Sequence, residues 1–232
     1  MIDMHCHLLY GVDDGPTKIE ESIKMLEEAK NQGIEKIILT PHYRYGMFAY
    51  PKEKIERHFE KLKPYGEKLG IQIYLGTEYH VNTQIVEALD SEKCHALADT
   101  RYVLTEYEYH TEYTFIKQMT QKLILHGYRP IIAHVERYKC MVSDLYRAEE
   151  LQEMGACIQV NADAVLGLDG HGTKAYCKKL LKKGLVDIIA SDSHGISKRS
   201  CHMRKCYDYV EKKYGAGYAN ELFVGKPSEI WK

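Results

Sequence analysis

Short apolar segments alternate with amphipathic ones about seven times along this chain, and that alternation limits the folds open to it. The apolar segments are Met1–Cys6, Lys36–Thr40, Ile71–Leu75, Tyr102–Leu104, Pro130–Ala133, Ala156–Val160 and Leu185–Ala190. They are too short for helices and too uniformly apolar for strands with one wet face. Between them lie helical patterns. Thr17 and Glu20 read as a capping box, followed by an apolar face at Ile19, Ile23, Leu26 and Ala29 and a stop at Gly33. Further helices are expected over 51–68, with a break at Pro64, over 113–125 with Phe115, Met119 and Leu123 on one face, over 145–154 ending at Gly155, over 173–183 and over 203–214. The remaining tail is short. Buried strands alternating with helices predict a parallel sheet covered by helices.

A closed barrel fits better than an open sheet. Nearly every strand is followed by a His, Asp or Glu, and barrels gather such groups from the carboxyl ends of many strands. An open doubly wound sheet concentrates them at one switch point. The expected fold is therefore α/β, a distorted (β/α)7 TIM-like barrel, with residues 1–232 forming one domain. No linker or repeat divides the chain.

In order, the polar groups at strand ends are His5, His7, Asp13 or Asp14, His42, Glu78, Glu106, His134, Asp192 and His194. His5 and His7 stand two apart at the end of a strand, so both imidazoles aim at one point. A stray His-x-His carries little weight, and each residue alone fits a rim of satisfied polar groups. As a set they are too many for one metal ion and suit two or three. Mixed imidazole and carboxylate donors suit Mn, Fe or Zn. A multi-metal cluster activates water and clamps both oxygens of an in-line phosphoryl displacement.

Composition closes off other classes. The net charge of −1 sets up no field to recruit nucleic acid or anionic membrane. Apolar runs are far shorter than a membrane span, and no secretory signal is visible. Seven cysteines without a Cys-x-x-Cys read as free thiols in a reducing cytoplasm. None is followed by Arg at Cys-x5-Arg spacing, so a thiol-phosphatase route lacks its motif. Cys6 lies between two candidate ligands and is expected to point away and pack.

At these residues the chain resembles a known family. His5-Cys6-His7, Thr40-Pro41-His42, Gly76-Thr77-Glu78, Glu106, Ala133-His134-Val135-Glu136-Arg137-Tyr138 and Ser191-Asp192-Ser193-His194 are similar to successive motifs of the PHP (polymerase and histidinol phosphatase) superfamily. The likeness runs over nearly the whole chain. It is greatest to the CpsB/CapC/YwqE branch, manganese-dependent protein-tyrosine phosphatases of bacterial capsule and exopolysaccharide systems. The Asp13-Asp14-Gly15 loop and the His134-x-x-Arg137-Tyr138 segment make that branch specific.

The resemblance implies the PHP fold and a trinuclear site, with Mn2+ the expected ion and Fe, Zn or Co as substitutes. His5, His7, Glu78 and Asp192 would hold one metal. Glu78 would bridge to a second, completed by Glu106 and His134. His42, His194 and an aspartate, Asp14 in preference to Asp13, would hold a third. Arg137 and Arg199 match the branch's phosphate-binding arginines, and a guanidinium fork suits phosphate oxygens. The implied reaction is direct hydrolysis, a metal hydroxide attacking phosphorus with Asp192 at the catalytic centre. A phenolate leaves, with His42 or a bound water as candidate acid. The implied partner is a phosphorylated bacterial tyrosine kinase with a tyrosine-rich tail. No nucleic acid or membrane insertion is expected.

Three competing readings stand beside this one. A small-molecule PHP phosphatase, such as one for histidinol phosphate, keeps the chemistry. A non-catalytic PHP-type binding domain is disfavoured by the full ligand set, and a nuclease or amidohydrolase by the charge and the arginines. His80 and His110 read as solvent-facing. The aromatic loop Tyr43–Tyr50 is balanced between docking a phosphotyrosine peptide and packing over the rim. The glycine-rich 167–172 stretch reads as a rim loop, since it lacks the context of a nucleotide site.

Overall fold

The computed structural model describes all 232 residues. Its strands are β1 (Ile2–Cys6), β2 (Lys36–Leu39), β3 (His42–Tyr43), β4 (Gln72–Leu75), β5 (Glu78–His80), β6 (Tyr102–Glu106), β7 (Arg129–Ile132), β8 (Cys157–Asn161) and β9 (Ile188–Ala190). Every pairing is parallel, in the orders β1-β2-β4 and β3-β5-β6-β7-β8-β9. The result is an α/β fold whose parallel sheet curls into a half-barrel. The end of β1 meets the segment just after β9 at a parallel Cys6–Ser193 bridge, where Asp192 N–H donates to the His5 carbonyl and His7 N–H to the Ser193 carbonyl, both at 2.9 Å.

Two interruptions break the hydrogen-bonded ladder, one between β2 and β3 and one between β4 and β5. Pro41 has no N–H to continue a ladder, and it separates β2 from β3. Gly76 separates β4 from β5, and a Cβ there would lie 2.6 Å from Leu97 Cδ2. In β1 the register shifts between Asp3 and Cys6. Such a shift re-aims side chains. Ile2 and Met4 face an inner apolar cluster, while Cys6 joins the outer core and its Sγ donates to the Ile38 carbonyl at 3.7 Å.

The inner cluster draws Ile38, Leu104, Ile131 and Ile188 from four further strands and is met from below by Ile230. The chain after Tyr214 is therefore no loose tail. Short helical turns over 216–231 bury Leu222, Phe223 and Ile230. The outer core lies between the strands and the covering helices.

Local expectations fail in instructive places. The first helix spans Ile19–Asn31, so its capping carboxylate is Glu21 and not Glu20: Glu21 accepts from the Thr17 and Lys18 amides and from the Thr17 hydroxyl. Its buried face carries Ser22 and Met25 beside Leu26 and Ala29, while Ile19 and Ile23 are only half-buried. The Lys52–Leu69 helix continues through Pro64 without a break. Ile55, Leu62 and Gly66 are buried on both sides of the proline, so packing outweighs the one lost hydrogen bond. The helices Tyr113–Leu125 and Met203–Tyr214 lie where the sequence puts them, although Phe115 is only half-buried and Ile116 takes the core position. Gly167 ends the Ala162–Leu166 helix with φ 87°, and the next helix already begins at His171. No helix is long and apolar enough to cross a membrane.

Candidate metal centre

The strands bring their carboxyl ends to one mouth, and the predicted residues meet there. Glu78, at the start of β5, sits at the centre and is almost fully buried. Four imidazoles face its carboxylate: His134 Nε2 at 2.8 Å, His42 Nδ1 at 2.9 Å, His7 Nε2 at 3.1 Å and His5 Nε2 at 3.2 Å. Asp192 Oδ1 lies 3.5 and 3.6 Å from His5 and His7 Nε2. Glu106 is farther out, 3.9 Å from both His42 and His134. Asp14 Oδ1 is 3.3 Å from His194 Nε2 and 3.4 Å from His42 Nε2.

The two neighbouring aspartates do different work. Asp13 accepts from His7 Nδ1 at 2.8 Å, from the Gly15 amide at 3.0 Å and from the His42 amide at 3.2 Å. It thereby orients His7 and the loop, while Asp14 faces two imidazoles. Gly15 makes this turn sterically possible, since a Cβ there would stand 2.2 Å from the His7 carbonyl oxygen. His134, Asp192 and Arg199 all adopt left-handed backbone, with φ of 32°, 50° and 49°. Such conformations are unusual for non-glycine residues and gather where side chains must be aimed.

Metal ions are not among the atoms described here, but the donor set fits them. His5 Nε2 and His7 Nε2 face each other at 3.2 Å. His42 Nδ1, Glu78 Oε2 and His194 Nε2 are buried and lack an aligned hydrogen-bond partner. Candidate ligand atoms fall into four groups, each within 4.8 Å: His5, His7 and Glu78; His5, His134 and Asp192; His42, Glu78 and Glu106; and His7, Asp14, His42 and His194. Donors about 2.1 Å from one ion stand up to about 4 Å apart, so small adjustments suffice. The cluster also demands positive charge. Burial opposes the imidazolium forms of His7 and His42. Even so, Asp13 and Glu78 push His7 up to about 9, and Asp14 and Glu78 push His42 up to about 11. His194 and then His42 hold the Asp14 carboxyl well below the usual range.

Two arginines border the cluster. Arg137 is 2.8 Å from Asp192 Oδ2, and Arg199 contacts both Asp192 oxygens at 3.1 and 3.2 Å. Each keeps about two-fifths of its side chain exposed, at 40% and 42%.

A family model for capsular polysaccharide synthesis proteins, CpsB/CapC, matches residues 1–232. The chain belongs to the CpsB/CapC family. Tyrosine-protein phosphatase CpsB of Streptococcus pneumoniae is 37% identical, covering 99% of this chain and 98% of its own. Tyrosine-protein phosphatase YwqE of Bacillus subtilis strain 168 is 30% identical over 93% of this chain and 86% of its own. A solved structure from work on YwqE and S. pneumoniae CpsB, described as unique metal-dependent tyrosine phosphatases, superposes with a TM-score of 0.92 at 28% identity. It covers 99% of this chain and 94% of that one. A phosphotriesterase homology protein from Escherichia coli shares only the fold, with a TM-score of 0.64 at 13% identity over 100% of this chain and 98% of its own.

Sequence reasoning missed three polar residues of this CpsB/CapC mouth. His80 is not solvent-facing: its Nδ1 lies 3.1 Å from Glu106 Oε2. Its place two residues after Glu78 on one strand was the available signal. His110 is exposed, as expected. Gln159 and Asn161 are buried beside the cluster. Two amides alternating with Ile158 and Val160 in a buried strand are out of place in a plain core, and that pattern would have found them. The Tyr43–Tyr50 loop divides: Phe48 stacks on His42 and Tyr50 is buried, while Tyr45 and Met47 stand out into solvent.

Proposed function

We propose that this CpsB/CapC protein is a metal-dependent protein-tyrosine phosphatase acting on a phosphorylated bacterial tyrosine kinase and so regulating capsule or exopolysaccharide synthesis. The observation that carries this reading is the convergence of five histidines and four carboxylates on one mouth bordered by two half-exposed arginines. The pairings around the sheet, joined at the Cys6–Ser193 bridge, support a distorted (β/α)7 barrel as one domain, counting β2/β3 and β4/β5 as single strands.

His5, His7, Asp14, His42, Glu78, Glu106, His134, Asp192 and His194 would hold the ions, three of them and Mn2+ by preference. Bound there, the ions supply Lewis acidity and an activated water. The protein's own groups do the rest. Arg137 and Arg199 present guanidinium faces that pair with phosphate oxygens and neutralise charge as it builds on them. Glu78 and Asp192, buried, hold the imidazoles converged. Asp13 keeps the His7 proton on Nδ1. The leaving phenol has a pKa of about 10, so protonating it asks less of the protein than an alkoxide would. Burial raises every thiol among Cys6, Cys94, Cys140, Cys157, Cys177, Cys201 and Cys206, which supports hydrolysis without a cysteinyl intermediate.

The test is phosphate release from a tyrosine-phosphorylated peptide and from histidinol phosphate after chelation and reloading with Mn2+. Metal-dependent release from the peptide supports the reading. Release from histidinol phosphate alone moves the same chemistry to a small-molecule substrate, and no release from either overturns it.

A further inference from the structure

We propose that Gln159 and Asn161 form a one-directional amide relay that keeps His5 Nε2 free for a metal ion and pins Asp192 beside it. The inference rests on the metal-centre reading above and assigns two positioning residues to that centre. Both lie on β8, two residues apart, and both are buried, at 0% and 2% exposed.

The direction of the relay follows from donors that cannot reverse. The backbone N–H of His134 points at the Gln159 side chain at 3.0 Å, and a backbone N–H can only donate. The Gln159 atom facing it is therefore the carbonyl Oε1. That leaves Gln159 Nε2 facing Asn161 at 2.8 Å, so the Asn161 atom it meets is the acceptor Oδ1. Asn161 Nδ2 is then turned to Asp192 Oδ2, also at 2.8 Å, and a carboxylate accepts. The two ends agree: reversing either amide would set donor against donor or acceptor against acceptor.

The consequence falls on His5. Its Nδ1 lies 3.2 Å from the same Gln159 Oε1. Its Nε2 faces the Glu78 and Asp192 carboxylates, so when a cation takes the Nε2 position and displaces any proton there, the proton that stays is the one on Nδ1, held by Gln159 Oε1. The nitrogen left to the cation is also the one aimed at His7. His7 is set the same way by a different device, Asp13 on its Nδ1. Partners of this kind fix tautomer and orientation, and their loss typically costs about 10–100-fold in metal affinity. Asn161 is itself held in place, since its backbone N–H donates to Glu136 Oε1 at 2.9 Å.

The experiment pairs two readouts on the full chain. Mn2+ affinity is measured by chelator competition for wild type, Gln159→Met, Gln159→Glu and Asn161→Leu. The His5 tautomer is read from long-range 1H–15N spectra of histidine-labelled protein loaded with diamagnetic Zn2+. Wild type should carry the His5 proton on Nδ1. Gln159→Met and Asn161→Leu should each bind Mn2+ about 10–100-fold more weakly, and Gln159→Met should also lose the tautomer preference. Gln159→Glu keeps the acceptor for His5 but no longer donates to Asn161, so it should keep the tautomer and still lose affinity. A wild-type proton on Nε2 overturns the relay even if the variants misfold, and so do variants that bind within twofold of wild type. A wild type that takes up no metal instead overturns the metal-centre reading, which separates the two failures.

Discussion

The two ends of the sheet interior are built by the same strands under opposite rules. At the floor, Ile2, Met4, Ile38, Leu104, Ile131 and Ile188 pack with Ile230 in one apolar cluster. Each such side chain stabilises the fold by about 1.5–3 kcal/mol through burial. At the mouth, a few residues farther along, His5, His7, Glu78, His134 and Asp192 are just as buried. Removing charged groups from water costs several kcal/mol per ion unless they are paired. Left-handed backbone at His134 and Asp192 adds about 1–2 kcal/mol each. One end of the curled sheet thus makes the stability that lets the other end stay strained and polar. Mutations at the two ends should dissociate accordingly.

The largest effect is expected at Asp192. Asp192→Ala removes the carboxylate facing three imidazoles and two guanidinium groups. Hydrolysis of an aryl phosphate should fall by at least about 10³-fold, with metal content reduced. The unfolding midpoint of the metal-free protein should move by only a few degrees, because both arginines are half-exposed and can rehydrate. A collapse in stability would break the contrast between the ends. Ile131→Ala should do the reverse. It leaves a void in the floor and should cost about 2–5 kcal/mol in urea unfolding, while kcat below the melting range stays within about twofold. A large loss of kcat there would show that the floor shapes the mouth directly.

Much of this was legible in the chain because burial and chemistry leave different marks. Runs such as Lys36–Leu39 and Pro130–Ala133 are apolar enough to be recognised as buried strands, and the candidate ligands stand at their ends by type. What was not legible depended on registers smaller than a turn. Glu21 rather than Glu20 caps the first helix because the helix starts two residues after Thr17. The shift in β1 that turns Met4 to the floor and His5 to the mouth leaves no trace in a period-two pattern. That Asp13 turns to His7 while Asp14 turns to His42 and His194 depended on the fold of the loop around Gly15. The buried turns after Tyr214 were missed because short helical pieces carry too little periodicity to read.

Within the mouth, the arginines should separate from the ligands. Arg137→Ala should weaken phosphate inhibition and raise KM by about 10–100-fold, the equivalent of one charge-assisted hydrogen bond. Metal content should not change, and loss of metal would place Arg137 in the structure of the cluster. A smaller, graded effect is expected from pH. Without ions, His7 titrates near about 9 and His42 near about 11, so both carry protons at neutral pH. A cation must displace them. Mn2+ uptake should therefore release protons, and affinity should rise with pH through the neutral range, about tenfold per unit for each proton displaced. Calorimetry in buffers of different ionisation enthalpy counts those protons. Zero release would show that the imidazoles are already neutral in the ion-free state.

The smallest effect is expected at the rim, where the contrast between interior and surface is tested last. The loop after His42 is anchored at its base: Phe48 stacks on His42 at 5.1 Å, and Arg44 pairs with Glu108 and bridges to Phe48. Its tip is not anchored, for Tyr45 is 87% and Met47 62% exposed. Large exposed side chains displayed at the tip of a loop anchored next to the metal centre suit contact with residues flanking a phosphotyrosine. Replacing both by Ser should raise KM for a phosphotyrosyl peptide about fivefold, the equivalent of about 1 kcal/mol of apolar contact. A small aryl phosphate has no flanking residues, so its hydrolysis should be unchanged. If both substrates suffer equally, the tip acts through Phe48 on His42, and the loop belongs with the metal centre instead of with the substrate's surroundings.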